Sequence, residues 1–424
     1  VVYRSGEQPG SEIKERRHHR EAGVVFSLGK GFMGLRLLTG GESHGPALAV
    51  VIDGMPAGVP LSPADIDRDL ARRQKGYGRG GRMRIETDRA RVVSGVRHGR
   101  TMGSPVTILL DNKDHASWAQ VMSVEPVEGK KLPRESRPRP GHGDLAGMLK
   151  YGTADARDVL ERASARESAS RTAAGAVARC LLDELGIVIY SRVVRIGTIA
   201  APSETDIDPE SFRGVEEDMV RCADSERSAL MIDEIDRAAA EGDSLGGVFE
   251  VAAFGLMPGL GSASQADRRL DALLTGAMAS IPGVKAVEVG AGFSLAVMRG
   301  SEAHDEIFFE SGLGIRRETN RAGGLEAGMT NGKPLLLRAA MKPIPTLARP
   351  LATVDMETFE PTVAFKERAD ICAVPSAAVI GEAVVAFVLA DAVLEKFGGD
   401  SMSDIEHNMR GYLERIGRFW KREV

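Results

Sequence analysis

Residues 164–199 read SARESASRTAAGAVARCLLDELGIVIYSRVVRIGTI. The first part, Ser164 to Leu185, is rich in alanine and other helix formers and ends at Gly186, a residue suited to a left-handed helix stop. The second part, Ile187 to Ile199, is dominated by β-branched residues and predicts a strand. A long helix that hands over through one glycine to a long strand makes the chain mixed α/β. Working outward, Ala47 to Ile52 is strand-like and closed by the Asp53-Gly54 turn signal. Ser62-Pro63 then reads as an N-cap and first helical position for a helix running toward Arg73. Asp224 to Glu241 is a helix stopped by Gly242. Val248 to Gly255 and Ala286 to Gly292 are strands with a helix across Ala266 to Ser280 between them. Ser376 to Phe397 is a final long helix closed by Gly398-Gly399. These elements do not alternate as regular βαβ units, and neither a repeat nor a linker divides them. Glu125 to Pro140 reads as a Pro-rich loop. Foldable patterning starts at Met33. The expectation is one intertwined unit over 33–424, preceded by a charge-rich, disordered extension over 1–32.

The chain has 424 residues, 43% of them hydrophobic and 27% charged, with a formal charge of -5. That is an ordinary composition for a protein with a full core, and a poor one for a general nucleic-acid binder. The longest mostly apolar stretch, Ala383 to Leu394, is interrupted by Asp391 and falls short of the roughly 18 residues of a membrane helix. The expectation is therefore a cytoplasmic protein with no membrane partner. Cys180, Cys222 and Cys372 are odd in number and widely spaced, which fits free thiols and neither a disulfide framework nor a metal site. Two features depart from the average: 49 glycines, and 42 arginines against 13 lysines. Guanidinium is the planar, bidentate partner of phosphate and carboxylate. Between Arg68 and Arg100 eleven Lys/Arg face three carboxylates, so the near-neutral total conceals a basic segment.

Five groups of residues carry chemistry, the last of them C-terminal. Gly41-Glu42-Ser43-His44-Gly45 matches GxSxG, yet Pro46 and a β-type run follow where a nucleophile elbow needs a helix. His44 in this glycine-bounded turn is instead an accessible acid or base. Gly76-Tyr77-Gly78-Arg79-Gly80-Gly81-Arg82 interleaves glycine, which permits close backbone approach, with arginine. In Arg137-Pro138-Arg139-Pro140-Gly141-His142-Gly143-Asp144 a rigid loop holds one histidine between cations. Nearby cations favour its neutral form, and a bound anion its charged form. Glu161 to Arg171 opens the alanine-rich helix, whose N-terminus favours an anion, and sets Arg162 and Arg166 one turn apart on a shared face. His98, His115, His304 and His407 read as surface residues. Further on lie the glycine-dense Asn320 to Gly332, the rigid Lys342-Pro343-Ile344-Pro345-Thr346 with Arg349 after it, and Arg368 beside Asp370. Neither a Walker A loop nor a Rossmann fingerprint is present. The residues alone describe an arginine-lined anion pocket with two loop histidines, and they leave the reaction open.

In order along the chain, GESHGP (41–46), GYGRG (76–80), RPRPGHGDLAGMLKYG (137–152), Glu161 to Ala174, Asn320 to Gly332 and Arg368 to Pro375 resemble the chorismate synthase family, from Met33 to about Ser401. That resemblance implies an α/β (α+β) fold with helices sandwiched between two antiparallel sheets, assembled as a homotetramer. It implies a lyase of the shikimate pathway to the aromatic amino acids. Such an enzyme converts 5-enolpyruvylshikimate 3-phosphate to chorismate and phosphate by 1,4-anti elimination, with reduced FMN as cofactor and no net redox change. Carried over by motif, His44 is the acid beside the departing phosphate, with Ser43 positioning it. His142 protonates the flavin, and Asp370 assists removal of the ring proton. Arg73, Arg79, Arg139, Arg166 and Arg349 hold substrate anions. Arg73 and Arg79 also match positions assigned to NADP. The positions matching FMN contacts are Arg162, Ala163, Ser164, Gly328, Lys342, Pro343, Ile344, Pro345, Thr346 and Arg368, with Pro282 and Gly283 replacing the usual Asn-Ala. NADPH would serve only to reduce the flavin, and the missing nucleotide fingerprint favours an external reductase over an intrinsic activity for that task, without deciding between them. Two competing classes are an NADPH-dependent flavin reductase and an Arg/Gly RNA-binding protein, the latter opposed by the acidic total.

Overall fold

The computed structural model describes residues 34–80, 87–127, 132, 134–310, 314–367 and 370–420. The expected extension over 1–32 lies outside them. Two larger sheets, each antiparallel throughout, frame the chain. The first has strands β1 (Arg36–Gly40), β2 (Ala47–Asp53), β3 (Ala90–Ser94) and β4 (Val106–Asp111), in the order β1-β2-β4-β3. In β2 burial alternates residue by residue, so Leu48, Val50 and Ile52 face the core, the period of a sheet covered on one side. The second sheet comprises β5 (Val188–Ile196), β6 (Ile199–Ala200), β7 (Gly247–Phe254), β8 (Val284–Val289) and β9 (Leu335–Met341), in the order β8-β9-β7-β5-β6.

Eight helices build the core and position the site: α1 (Pro63–Gln74), α2 (Asp144–Tyr151), α3 (Arg157–Ala163), α4 (Ser168–Glu184), α5 (Ser225–Glu241), α6 (Leu270–Ala279), α7 (Val374–Phe397) and α8 (Met402–Trp420). Helix α4 packs on α1, α7 and strand β2, while α7 packs on α6, β5 and β7. Nineteen of the 24 residues of α7 are buried. It alone among the described helices is long and apolar enough to cross a membrane, which corrects the expectation that no apolar stretch reaches that length. Asp391 does not interrupt it, because its carboxylate accepts a 2.7 Å hydrogen bond from the Leu35 amide at the helix surface. Here the apolarity serves a helix covered on all sides by protein.

The helix expected from Ser164 begins four residues later. Ser164 is extended (ψ 145°), and its hydroxyl accepts from the Arg166 amide, which caps a short 3-10 turn over Ala165–Glu167 before α4 starts. A serine side chain competing for backbone donors is the local cause. Arg162 and Arg166 therefore do not share a face. The helix predicted from Pro63 starts there behind its Ser62 cap, and the one predicted from Asp224 starts one residue later, because Asp224 serves as its cap.

Inside this packing lies one ionised cluster. Glu382 of α7 is fully buried and accepts from Arg72 of α1 (2.8 and 2.9 Å), Arg179 of α4 (2.6 Å), Arg221 (3.3 Å) and the Ser191 hydroxyl (2.5 Å). Burial alone would raise its pKa; the three guanidiniums outweigh this and hold it below the ordinary glutamate value. Its stabilising contribution is therefore complete above about pH 4.3 and is lost as the pH falls further. Glu382→Gln, which keeps the shape and removes the charge, is expected to cost about 3–5 kcal/mol. Urea unfolding at pH 7 measures it, and the difference from the parent should shrink toward pH 3.

Candidate active site

The histidine of the first motif sits in a turn between two strands. Gly41 has φ +100°, and a side chain there would collide with the carbonyl of Ala47, so the turn is tight enough to require glycine. The chain then enters β2, not a helix, so the context of a nucleophile elbow is absent. His44 is 6% exposed. Its backbone amide donates to Glu161 Oε2 (2.9 Å), and its Nδ1 lies 2.9 and 3.0 Å from the two Glu161 oxygens. Burial would raise Glu161, but His44 and then Arg157, which donates at 3.1 Å, hold it below its ordinary value. An ionised carboxylate only accepts, so Nδ1 carries the proton and Nε2 is left for chemistry. The indole of Trp118 covers the imidazole at 4.2 Å, and His115 donates from Nδ1 to the His44 carbonyl at 2.9 Å.

The second histidine repeats the arrangement. His142 Nδ1 meets Asp144 Oδ1 at 2.5 Å. Asp144, at the first turn of α2, also accepts from Arg139 Nε (2.9 Å) and the Arg139 amide (3.1 Å). Against the upward pull of burial, these partners hold Asp144 well below the carboxylate range. Arg139 Nη2 is 3.2 Å from His142 Nδ1, an approach of two donors, so Asp144 is what makes their proximity tolerable.

Arginines fill the space between. Asp88 accepts from Arg73 Nη2 (2.8 Å) and Arg166 Nη1 (2.5 Å), and Asn112 Oδ1 accepts from Arg166 Nε (2.9 Å). The same Asn112 amide donates to the carbonyls of Glu42 and Gly45, which ties Arg166 to the His44 turn. Burial, and after the pull of Asp88 the charges of Arg166 and Arg79, leave Arg73 below its ordinary value, an excess of positive charge that a bound anion would relieve. Asp370 accepts from the Gly80 amide (2.7 Å) and pairs with Arg79 at 3.4 Å.

These groups line one cavity of about 360 Å³, a size usual for small-molecule and cofactor sites. It collects Ser43, His44, Arg73, Arg79, Arg139, His142, Ala163, Ser164, Arg166 and Asp370 from five separate segments, with Pro282, Gly283 and Lys342 to Thr346 along another wall. Lys342 Nζ donates to the Gly141 carbonyl and joins that wall to the His142 loop. Three expected residues lie elsewhere. Arg162 turns outward to the Thr39 and Gly41 carbonyls. Gly328 sits in a tight turn against Arg269, and Arg349 follows the wall but does not line the cavity. Arg368, with Gly81 and Arg82, lies outside the described residues. Sequence reasoning missed the partners: Asp88, Asn112, Trp118, Glu367 and Ser376. It also placed His115 on the surface, away from the site. Only Asp144 and Glu161 stood inside the sequence motifs.

The chorismate synthase family model matches residues 35–394. The chain belongs to the chorismate synthase family. It is 56% identical over 383 residues to the chorismate synthase of Desulforudis audaxviator, covering 90% of this chain and 98% of that protein. It is 55% identical over 391 residues to that of Symbiobacterium thermophilum, covering 91% and 100%. A crystal structure of chorismate synthase superposes with a TM-score of 0.72 at 39% identity, covering 91% of this chain and 99% of that one.

Membership in the chorismate synthase family does not depend on the state of His44, which the packing makes directly observable. The protein has two tryptophans, and Trp118 is the one that lies against the His44 imidazole. Protonating His44 places a cation on that indole. Trp118 emission is therefore expected to be quenched by a charged His44 and not by a neutral one. His44→Asn should abolish that component and leave the rest of the tryptophan signal.

Proposed function

We propose that this protein is a chorismate synthase acting on 5-enolpyruvylshikimate 3-phosphate in the shikimate pathway, a lyase that eliminates phosphate 1,4-anti to form chorismate. The observation that carries the reading is the convergence of two carboxylate-held histidines, four arginines and Asp370 on one cavity. The substrate has a phosphate and two carboxylates, and arginine supplies planar, always charged donors for each. Arg73 and Arg166, bridged by Asp88, form a paired anion seat beside His44. Arg139 lies beside His142, and Arg79 beside Asp370.

His44 holds a proton at Nε2 and delivers it to the phosphate oxygen as the carbon–oxygen bond breaks. Glu161 stabilises the imidazolium before transfer, and Trp118 excludes water from its face. Charge developing on the leaving group meets donors already in place, which is where preorganised cations contribute most. The Asp370 carboxylate, oriented by the Gly80 amide and Arg79, takes up the ring proton. Bond breaking and proton removal thus give chorismate and phosphate with no change in oxidation level.

The cavity also suits the family's flavin. The rigid Lys342 to Thr346 segment, the Pro282-Gly283 backbone and the small Ala163 and Ser164 offer an apolar slot with cationic ends, the chemistry of an isoalloxazine ring and a phosphate. Reduced FMN, when bound, supplies an electron-rich ring beside the substrate. His142 Nε2, free because Nδ1 is committed to Asp144, is the proton donor on that side. We read 33–424 as one catalytic unit, assembled as a homotetramer in the cytoplasm.

Anaerobic turnover with chemically reduced FMN tests the proposal, and chorismate should form without NADPH. His44→Ala and His142→Ala are each expected to lower turnover by ~10²–10⁴-fold while FMN and substrate still bind. Near-normal turnover in both variants would remove the assignment. NADPH oxidation by FMN alone, without chorismate formation, would favour a flavin reductase instead.

A further inference from the structure

Behind the two histidines runs a chain of alternating charge. His44 is held by Glu161, Glu161 by Arg157 (3.1 Å), His142 by Asp144, and Asp144 by Arg139 (2.9 Å). Both arginines converge on one carboxylate. Glu367 Oε2 accepts from Arg139 Nη1 at 3.3 Å, and Oε1 faces Arg157 Nη1 at 3.9 Å. The sequence of groups is His44, Glu161, Arg157, Glu367, Arg139, Asp144, His142. Aromatic rings brace both arginines: Arg157 lies over Trp118 (4.8 Å), which itself packs on His44, and Arg139 lies over Phe365 (4.4 Å).

We propose that Glu367 is a positioning residue that couples the protonation of His44 and His142, acting on both through Arg157 and Arg139. The proposal rests on the functional reading only for the roles of the histidines. Glu367 belongs to the loop before Asp370 and lines the cavity, with a side chain 27% exposed, so neither the core nor a structural turn depends on it. It acts by charge more than by hydrogen bonding, because Oε1 lies beyond hydrogen-bond distance of Arg157 and has no such partner among the described residues. Its negative charge offsets two cations that would otherwise oppose both imidazoliums. It also keeps each arginine shared, so that Asp144 and Glu161 retain more of their charge for the histidines. Both effects have the same sign: removing the charge disfavours protonation at both histidines at once.

The other charged groups facing these positions do not duplicate the link. His142 meets Arg139 and Asp144, with Lys342 on the neighbouring Gly141 carbonyl. His44 meets Glu161, with His115 on its carbonyl and Arg157 across Trp118. Among described residues, Glu367 alone contacts both arginines. A single carboxylate therefore acts on both histidines, through one arginine each.

Histidine-selective NMR titration of the full-length chain without cofactor reads the coupling directly, with His44→Asn and His142→Asn assigning the signals. Glu367→Gln should lower both titration midpoints, each by on the order of one pH unit. Glu367→Asp, which keeps the charge, should recover at least half of the shift. Arg157→Gln, which removes a cation, should move both midpoints upward. The corresponding limb of the kcat/KM profile should follow in the same directions. Midpoints that stay in place in Glu367→Gln, or a shift confined to one histidine, overturn the coupling. If Glu367→Gln does not fold, the upward shift in Arg157→Gln decides the matter, and its absence at His142 overturns the proposal. The titrations need no substrate, so failure of the parent chain to make chorismate would instead overturn the functional reading.

Discussion

Everything in this molecule hangs on the contact between α4 and α7. At Gly175 a single added carbon would lie 2.3 Å from both Cα and Cβ of Ala383, so the helices touch almost backbone to backbone. Such an approach demands small residues, and α4 supplies an alanine-rich sequence with 13 of its 17 residues buried. Because α7 is covered by its partner and by further elements, it is apolar on nearly every side, and Glu382 is carried there only with three arginines around it. The contact also fixes the site. The segment leading into α4 contributes Ser164, Ala165 and Arg166 to the cavity. The first turns of α7 contribute Ser376, Ala377 and Ile380. One helix crossing thus sets both the core and the cavity floor.

Burying so many charges beside that crossing is tolerable only because each is paired. Arg72 and Arg73 are neighbours on α1, yet they enter different clusters: Arg72 goes to Glu382, and Arg73 to Asp88. The structural cluster is closed, with three arginines around one glutamate and further carboxylates, Asp69 and Glu216, on their outer sides. The cavity cluster is left short of negative charge on the open side. That difference separates a cluster that holds the fold from one prepared for a ligand, and it explains the use of arginine over lysine. A guanidinium can bind a fixed carboxylate with one edge and present another edge to an anion. A lysine placed at Arg166 could not reach Asp88 and Asn112 in one fixed plane.

Much of the fold was legible because its punctuation is local. Ser62-Pro63, Asp224 and Gly242 act within one or two residues of themselves, and the corresponding helix ends fall where the sequence puts them. The strands β1, β3, β4 and β9 were not read, since a short apolar run between charged residues looks the same whether or not a sheet receives it. The apolar stretch inside α7 reads as interrupted at Asp391 because the amide that satisfies that carboxylate comes from Leu35, more than 350 positions away. The site shows the same limit. Motif residues were found, but Asp88, Asn112 and Glu367 carry no pattern of their own. They become functional only when the fold brings Arg73, Arg166, Arg139 and Arg157 to them.

The break at Ser164 shows why a periodicity argument fails where a site is being built. Had the helix run on from Arg162, that residue and Arg166 would project together from one face. Instead the extended Ser164 directs Arg162 outward, where it ties α3 to β1 through Thr39, and sends Arg166 inward to Asp88. The same break frees the Ser164 hydroxyl to donate to Ser43 at 3.2 Å, which joins the start of α4 to the His44 turn. A continuous helix would have been the better local structure by propensity. The interrupted one exchanges a turn of helix for a fixed distance between His44 and Arg166. That exchange is favourable only because Asn112, just past β4, and Glu161 of α3 clamp the two sides of the break. The helical hydrogen bonds given up are thereby replaced by ones the helix could not have made.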